Sequence, residues 1–444
     1  MSTLDPSPAK LPLARVIGLG GVAFCSFNTM VGSGIFGLPA LAAALLGPAA
    51  ILAYLVCAVL IGLVGLCFAE VGSRVSSAGG LYAYARVSLG PVAGGVAGTL
   101  LWTANSIAPN AAIANFLTDT LSVVWPALNG AVPRVLFMAA IYTLLGTVNI
   151  RGTRAGARLT VAMGLIKLTP LILLVVAGAF ALKGPNLHWD GMPSIGSVGQ
   201  GALLLFFAFM GIEGGLGTSG EVRNPARTIP QAILLTLTLV AALYIGLQVV
   251  AQGVLGSNLA TSTAPLVATA TEVFGPWGTR LFLVTTILSA AGYLTADLLS
   301  TPRSVFALAD EGQLPRRLAA VHPRFGTPAA AVGIYTFCCF LAAASGSFRQ
   351  LVLVASSGTL MLYLICCLGL LRLRALDVQM AGKPFRAPGG AFVPLAASAI
   401  IVWMLTTLTP REIFAALCIV AVSGIVYAIR ERRPACLPLH PRSS

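Results

Sequence analysis

Two stretches of this sequence interrupt apolar runs with glycine and small polar groups. The first reads Phe27-Asn28-Thr29-Met30-Val31-Gly32-Ser33-Gly34-Ile35-Phe36, and the second Phe207-Ala208-Phe209-Met210-Gly211-Ile212-Glu213-Gly214-Gly215. Each helical glycine costs about 1 kcal/mol relative to alanine, so clustered glycines favour unwinding. The competing explanation is close packing of intact helices on small residues. Unwinding would expose two kinds of chemistry. Amides of Ser33, Gly34 and Ile35 would begin a half-helix and suit a carboxylate, with Asn28, Gly32 and the Ser33 hydroxyl beside them. Carbonyls from Phe207 through Phe209 to Gly211 would end another half-helix and suit an ammonium group. An α-amino acid zwitterion satisfies both breaks; a polyamine satisfies only the second.

Charged residues inside apolar runs are functional candidates. Lys167 lies in Leu165-Ile166-Lys167-Leu168-Thr169-Pro170, about 10 residues or ~15 Å from either end of its run, too deep to snorkel. Asp297 is expected to face the protein interior and to pair with Lys167. Two alternatives are a counter-charge for a cationic substrate and contact with a cytoplasmic arginine. Glu213 either titrates or bonds the loose backbone of the second break. Tyr293 is a candidate aromatic wall. Ser356, Ser357 and Gly358 are candidates for a distal pocket. Asn28, Asn105 and Asn110 suit hydrogen bonds between helices. Enzyme chemistry finds little support: the three histidines, His188, His322 and His440, fall outside the apolar runs. The nine cysteines show neither metal spacing nor a disulfide framework. No metal or cofactor is expected. There is no phosphate-binding Gly-Lys-Ser/Thr loop for a pump and no acidic ring motif for a channel.

The elements that must position these groups are apolar helices. The chain has 444 residues, is 57% hydrophobic and 9% charged, and has a mean hydropathy of +0.92; soluble domains carry about 25% charged residues. Roughly twelve runs reach the ~20 residues that a spanning helix needs. They fall at 16–43, 48–70, 91–123, 133–150, 157–181, 198–219, 232–254, 276–306, 328–344, 349–371, 391–409 and 411–430. The connection 256–275 has room for a short helix. The net charge of +14 is a topology signal rather than a nucleic-acid signal. Apart from Lys167, 21 Lys and Arg residues fall on one side and five (Arg134, Lys183, Arg280, Arg349 and Arg411) on the other. The positive-inside rule then puts both termini in the cytoplasm, with 1–15 and 431–444 as tails. The breaks are five runs apart and therefore point in opposite directions through the membrane. That predicts an inverted repeat, 16–181 against 198–371, with helices 11 and 12 (391–430) added outside it. Glu70 and Glu221, beside Arg74 and Arg223, read as gate or topology residues.

Four stretches together resemble the amino acid–polyamine–organocation (APC) superfamily. They are Gly32-Ser33-Gly34-Ile35-Phe36; Ala69 to Arg74 with Ala78 to Tyr84 and Leu89-Gly90-Pro91; Phe207 to Glu213 with Gly220 to Pro230; and Arg303 to Pro328. The resemblance implies an all-α membrane protein with the leucine-transporter-type fold, a 5+5 inverted repeat with discontinuous helices 1 and 6. It makes Phe207 an aromatic lid, Lys167 a substitute for a sodium ion, and Glu213 a proton-sensitive residue as in the arginine–agmatine branch. The expected activity is secondary transport of amino acids across the bacterial inner membrane, sodium-independent, by proton symport or exchange. Antiport of polyamines, or of a basic amino acid against its decarboxylation product, is the alternative. The expected partners are a small amino acid or amine, protons, membrane lipid and a second copy of the chain, and not nucleic acid.

Overall fold

Ala50–Arg74 shows how this chain folds. Its residues are apolar all round, yet Ala50, Ala53, Tyr54, Cys57, Leu60, Ile61, Val64 and Phe68 recur at helical spacing and are buried. Leu55 and Val59, on the opposite side, are about half exposed. A soluble helix would put charge on that outer face; here it is aliphatic, as a lipid-facing surface requires. The computed structural model describes residues 18–75, 80–151, 157–189, 191–212, 225–310, 316–380 and 384–410, and positions 412–414, 417, 420, 421, 424 and 425.

The longer elements are α1 (Leu19–Met30), α2 (Leu38–Leu46), α3 (Ala50–Arg74), α4 (Gly80–Leu89), α5 (Pro91–Trp102), α6 (Ala108–Ser122), α7 (Ala131–Arg151) and α8 (Ala157–Gly178). They continue with α9 (Ile195–Phe209), α10 (Pro225–Leu255), α11 (Pro265–Phe274), α12 (Pro276–Asp310), α13 (Ala329–Ser345), α14 (Phe348–Ala375) and α15 (Phe392–Thr406). No strand occurs among the described residues. Five segments are long and apolar enough to cross a membrane: Leu38–Arg74, Ala131–Arg151, Gln231–Thr261, Pro276–Arg303 and Phe348–Ala375. Six shorter apolar helices accompany them. Most of the expected twelfth span, and the sixth beyond Ile212, lie outside the described residues.

The first expected span is two helices, α1 and α2, joined by a 3-10 turn at Ser33–Phe36. The third is also interrupted: a π-helical segment, Thr103–Ile107, separates α5 from α6. Pro109 supplies the cause, because proline has no N–H to return to the preceding turn. The 256–275 connection holds a 3-10 turn and α11.

Packing sorts the helices into two groups. In one, α10 lies on α1 and α3, and α9 lies on α3. In the other, α12 lies on α6 and α13, and α13 on α6 and α7. Between them, α8 touches α10 and α12, while α14 touches α3, α6 and α9. A buried ionic clasp fixes α14 to α3. Glu70, fully buried, accepts hydrogen bonds from Arg74 Nε at 3.0 Å, Arg374 Nε at 2.9 Å and the Ala387 amide at 2.8 Å. Arg74 itself is 1% exposed.

Candidate functional site: a cavity between two broken helices

α1 stops at Met30. The Val31 amide closes its last turn on Phe27 O at 2.9 Å, and the Gly32 amide reaches only Met30 O at 2.7 Å. Gly32 is extended (φ −82°, ψ −172°), and Ser33 opens the 3-10 turn that leads into α2. α9 stops at Phe209: Met210 is extended, and Gly211 has φ +102°, a conformation that L side chains rarely adopt. Gly32-Ser33-Gly34 and Gly211 therefore mark interruptions of the helix, while Gly214 and Gly215 lie outside the described residues.

Each stopped helix leaves carbonyls without helical partners. At α1, Asn28 O accepts from Lys167 Nζ at 2.8 Å. The cation meets the negative end of the half-helix, where a positive charge is favoured. Tyr244 of α10 serves both breaks. Its hydroxyl lies 2.9 Å from Met30 O and 3.0 Å from Ala208 O. One hydroxyl proton is thus shared between the two broken ends, and Tyr244 is fully buried there.

A cavity of about 450 Å³ opens between the breaks. Gly32, Ser33 and Gly34 line it from the first break, and Phe207, Ala208, Met210 and Gly211 from the second. Tyr293 and Ser300 contribute from α12. The opposite wall is a stripe four residues apart, Asn105, Pro109 and Ile113. Ser33 is 1% exposed and its Oγ has no hydrogen-bond partner among the described residues. Phe207 closes one end: a Cβ at Gly34 would sit 2.7 Å from its ring. The ring stands edge-on to Phe348 at 6.4 Å between centroids, and Phe348 lies 5.4 Å from Phe116. A capping box between Ser347 and Gln350 starts α14 and sets Phe348 in its first turn. Ser300, seven residues beyond Tyr293 and exposed, marks the other end.

The expected site residues divide accordingly. Gly32, Ser33, Gly34, Phe207, Gly211 and Tyr293 come together at the cavity. Asn28 acts through its carbonyl on Lys167. Ile35 and Phe209 are fully buried core residues, Phe209 against Tyr54 and Tyr244. Ser356 and Ser357 are buried in α14 and are not among the described residues lining the cavity. Glu213 lies outside the described residues.

The Lys167–Asp297 ion pair does not form. Asp297 Oδ2 accepts from Asn110 Nδ2 at 2.7 Å and Tyr335 OH at 2.6 Å, and Oδ1 from Thr301 Oγ1 at 2.9 Å. Tyr142 OH donates to Asn110 Oδ1 at 2.8 Å and extends this network to α7. Lys167 finds its compensation in a helix end, Asp297 in neutral donors. The sequence reading missed Tyr244, Pro109, Ile113, Phe116 and Phe348. Only Pro109 carried a local signal, as a proline inside an apolar run.

Among the described residues no cluster of His, Cys, Asp or Glu could hold a metal. A profile of the family described as amino acid permease matches residues 17–429. An uncharacterized transporter of Mycobacterium bovis is 32% identical over 96% of this chain and 94% of its own. The methylthioribose transporter of Bacillus subtilis is 24% identical over 98% of each chain. The serine/threonine exchanger SteT of the same organism is 30% identical over 71% of this chain and 73% of its own. These proteins are transporters rather than enzymes, and the chain belongs to the amino acid permease family as a multi-pass membrane protein.

Proposed function

We propose that this protein is a secondary active transporter that carries amino acids across the bacterial plasma membrane by alternating access. The observation that carries the reading is the meeting of two stopped helices at one cavity, with Ser33 Oγ, which has no partner among the described residues, between them. The start of the 3-10 turn at Ser33 offers amides to a carboxylate, and the end of α9 offers carbonyls to an ammonium. With both termini in the cytoplasm, Phe207, Phe348 and Phe116 close the outer side and Ser300 lies toward the inside, as in an inward-facing state. Helices α1, α3, α9 and α10 would rock against α6, α7, α12 and α13, the order expected of a 5+5 inverted repeat within twelve spans.

Transport is sodium-independent in this reading, because the Lys167 ammonium already occupies the negative end of α1. Proton symport or amino acid exchange supplies the driving force, with Lys167, Glu213 and Asp297 as the coupling residues. The test is uptake of labelled amino acids by proteoliposomes, with choline replacing sodium, an imposed pH gradient, and an internal counter-substrate in separate arms. Accumulation in choline, raised by an inward proton gradient or by internal amino acid, is expected. An absolute requirement for sodium would overturn the role given to Lys167.

A further inference from the structure

The proposed zwitterion site leaves one part of the ligand unassigned, its side chain. Resting on that reading, we infer that the carried amino acid has a neutral, apolar side chain, aliphatic or thioether, held between Pro109, Ile113 and Tyr293.

With the carboxylate at Ser33 and the ammonium at the end of α9, a side chain must project away from both breaks. The wall it meets is the α6 stripe with Tyr293 of α12. Pro109 and Ile113 offer hydrocarbon there, and Met30 and Met210 add adaptable thioethers at the edges of the breaks. Among the described lining residues there is no Asp, Glu, Lys, Arg or His. Among the described residues two charges nearby are already engaged: Lys167 donates to Asn28 O, and Asp297 accepts from Asn110, Tyr335 and Thr301. Neither lines the cavity. The Asn105 amide turns toward Thr359 Oγ1 at 3.5 Å. A lysine or arginine side chain would therefore carry an unpaired charge into an apolar compartment, which strongly disfavours binding. An aliphatic chain loses only water. The volume, about 450 Å³, leaves room beyond the backbone groups.

The experiment is competition against a labelled amino acid that the purified protein takes up in proteoliposomes. Competitors are alanine, 2-aminobutyrate, norvaline, norleucine, methionine, lysine, arginine and glutamate. Expected is a rise of roughly fourfold in apparent affinity per added methylene from alanine to norleucine, since each buried methylene contributes ~0.8 kcal/mol. Methionine should fall beside norleucine, and lysine, which is norleucine's chain with a terminal ammonium added, at least a hundredfold behind. Ile113→Ala should flatten the series, and Ile113→Phe should end it at a shorter chain, each affinity being read relative to that of alanine in the same variant. Uptake of lysine, arginine or glutamate that norleucine cannot displace would overturn the inference and leave the permease reading standing. No uptake or competition by any amino acid, with monodisperse protein, would overturn both.

Discussion

Single atoms decide the behaviour of this site. Ser33 Oγ is buried at the start of a helical turn, without a partner among the described residues. A hydrogen bond to a charged group contributes about 1.5–3 kcal/mol. Ser33→Ala should therefore weaken substrate binding by roughly ten- to a hundredfold while leaving thermal stability near that of the parent, as a binding titration and a melting curve would show. Tyr244 is the opposite case. Its hydroxyl serves Met30 O and Ala208 O, so Tyr244→Phe takes that donor from Ala208 O and leaves Met30 O only the Gly32 amide, at a cost of about 1–3 kcal/mol. The expected result is a lower melting temperature together with slower uptake, measured on one preparation; unchanged values for both would remove Tyr244 from the account. Lys167→Met should abolish uptake in sodium-free medium, because the negative end of α1 then lacks its cation. Sequence alone singled out Ser33 and Lys167 as candidates, since a serine among glycines and a lysine in an apolar run contradict their surroundings. It did not reveal Tyr244, which sits in Leu243-Tyr244-Ile245 like an ordinary core aromatic and acquires its role only where two distant breaks meet.

At the scale of elements, the glycines are required by what crosses them. A Cβ at Gly34 would press on the Phe207 ring at 2.7 Å, and one at Gly37 on Phe116 at 2.8 Å. Gly34→Ala should displace the Phe207 ring from the cavity and depress uptake. A smaller side chain in Gly34→Ala/Phe207→Leu should recover part of the loss, so a double-mutant cycle should give a coupling of about 0.5–3 kcal/mol. Additive losses would mean that the ring does not lean on this glycine. The breaks were legible because glycine clusters oppose helix at any depth. Helix faces were not, because these helices are apolar all round and offer no polar side from which to orient them. That is why Asp297 was expected on the α8 side and is found bonded to Asn110 on α6 and Tyr335 on α13. Ser356 and Ser357, likewise, are buried in α14 and are not among the described residues that line the cavity.

For the whole molecule, the two helix groups need fixed points as well as freedom. The Glu70 clasp is one, tying α3 to α14 and to the chain at Ala387. Removing one partner of a buried ion pair costs about 3–5 kcal/mol, because the remaining charge is stranded. Glu70→Gln should thus lower the melting temperature of the detergent-purified protein markedly, while a substitution at the exposed Leu136 should not. The charge asymmetry of the loops gave the sidedness expected from sequence, but the pairing of α3 with α14 depended on contacts across some 300 positions and left no local trace. The central claim concerns the two breaks acting together on one zwitterion. It is tested most directly by competing labelled leucine uptake with leucine, with isopentylamine, which lacks the carboxylate, and with 4-methylpentanoate, which lacks the amine. The account predicts that only leucine competes well, each truncated analogue falling roughly a hundredfold behind as one break loses its charged partner. Equal competition by the amine would contradict it, because the break at Gly32-Ser33-Gly34 would then contribute nothing to recognition.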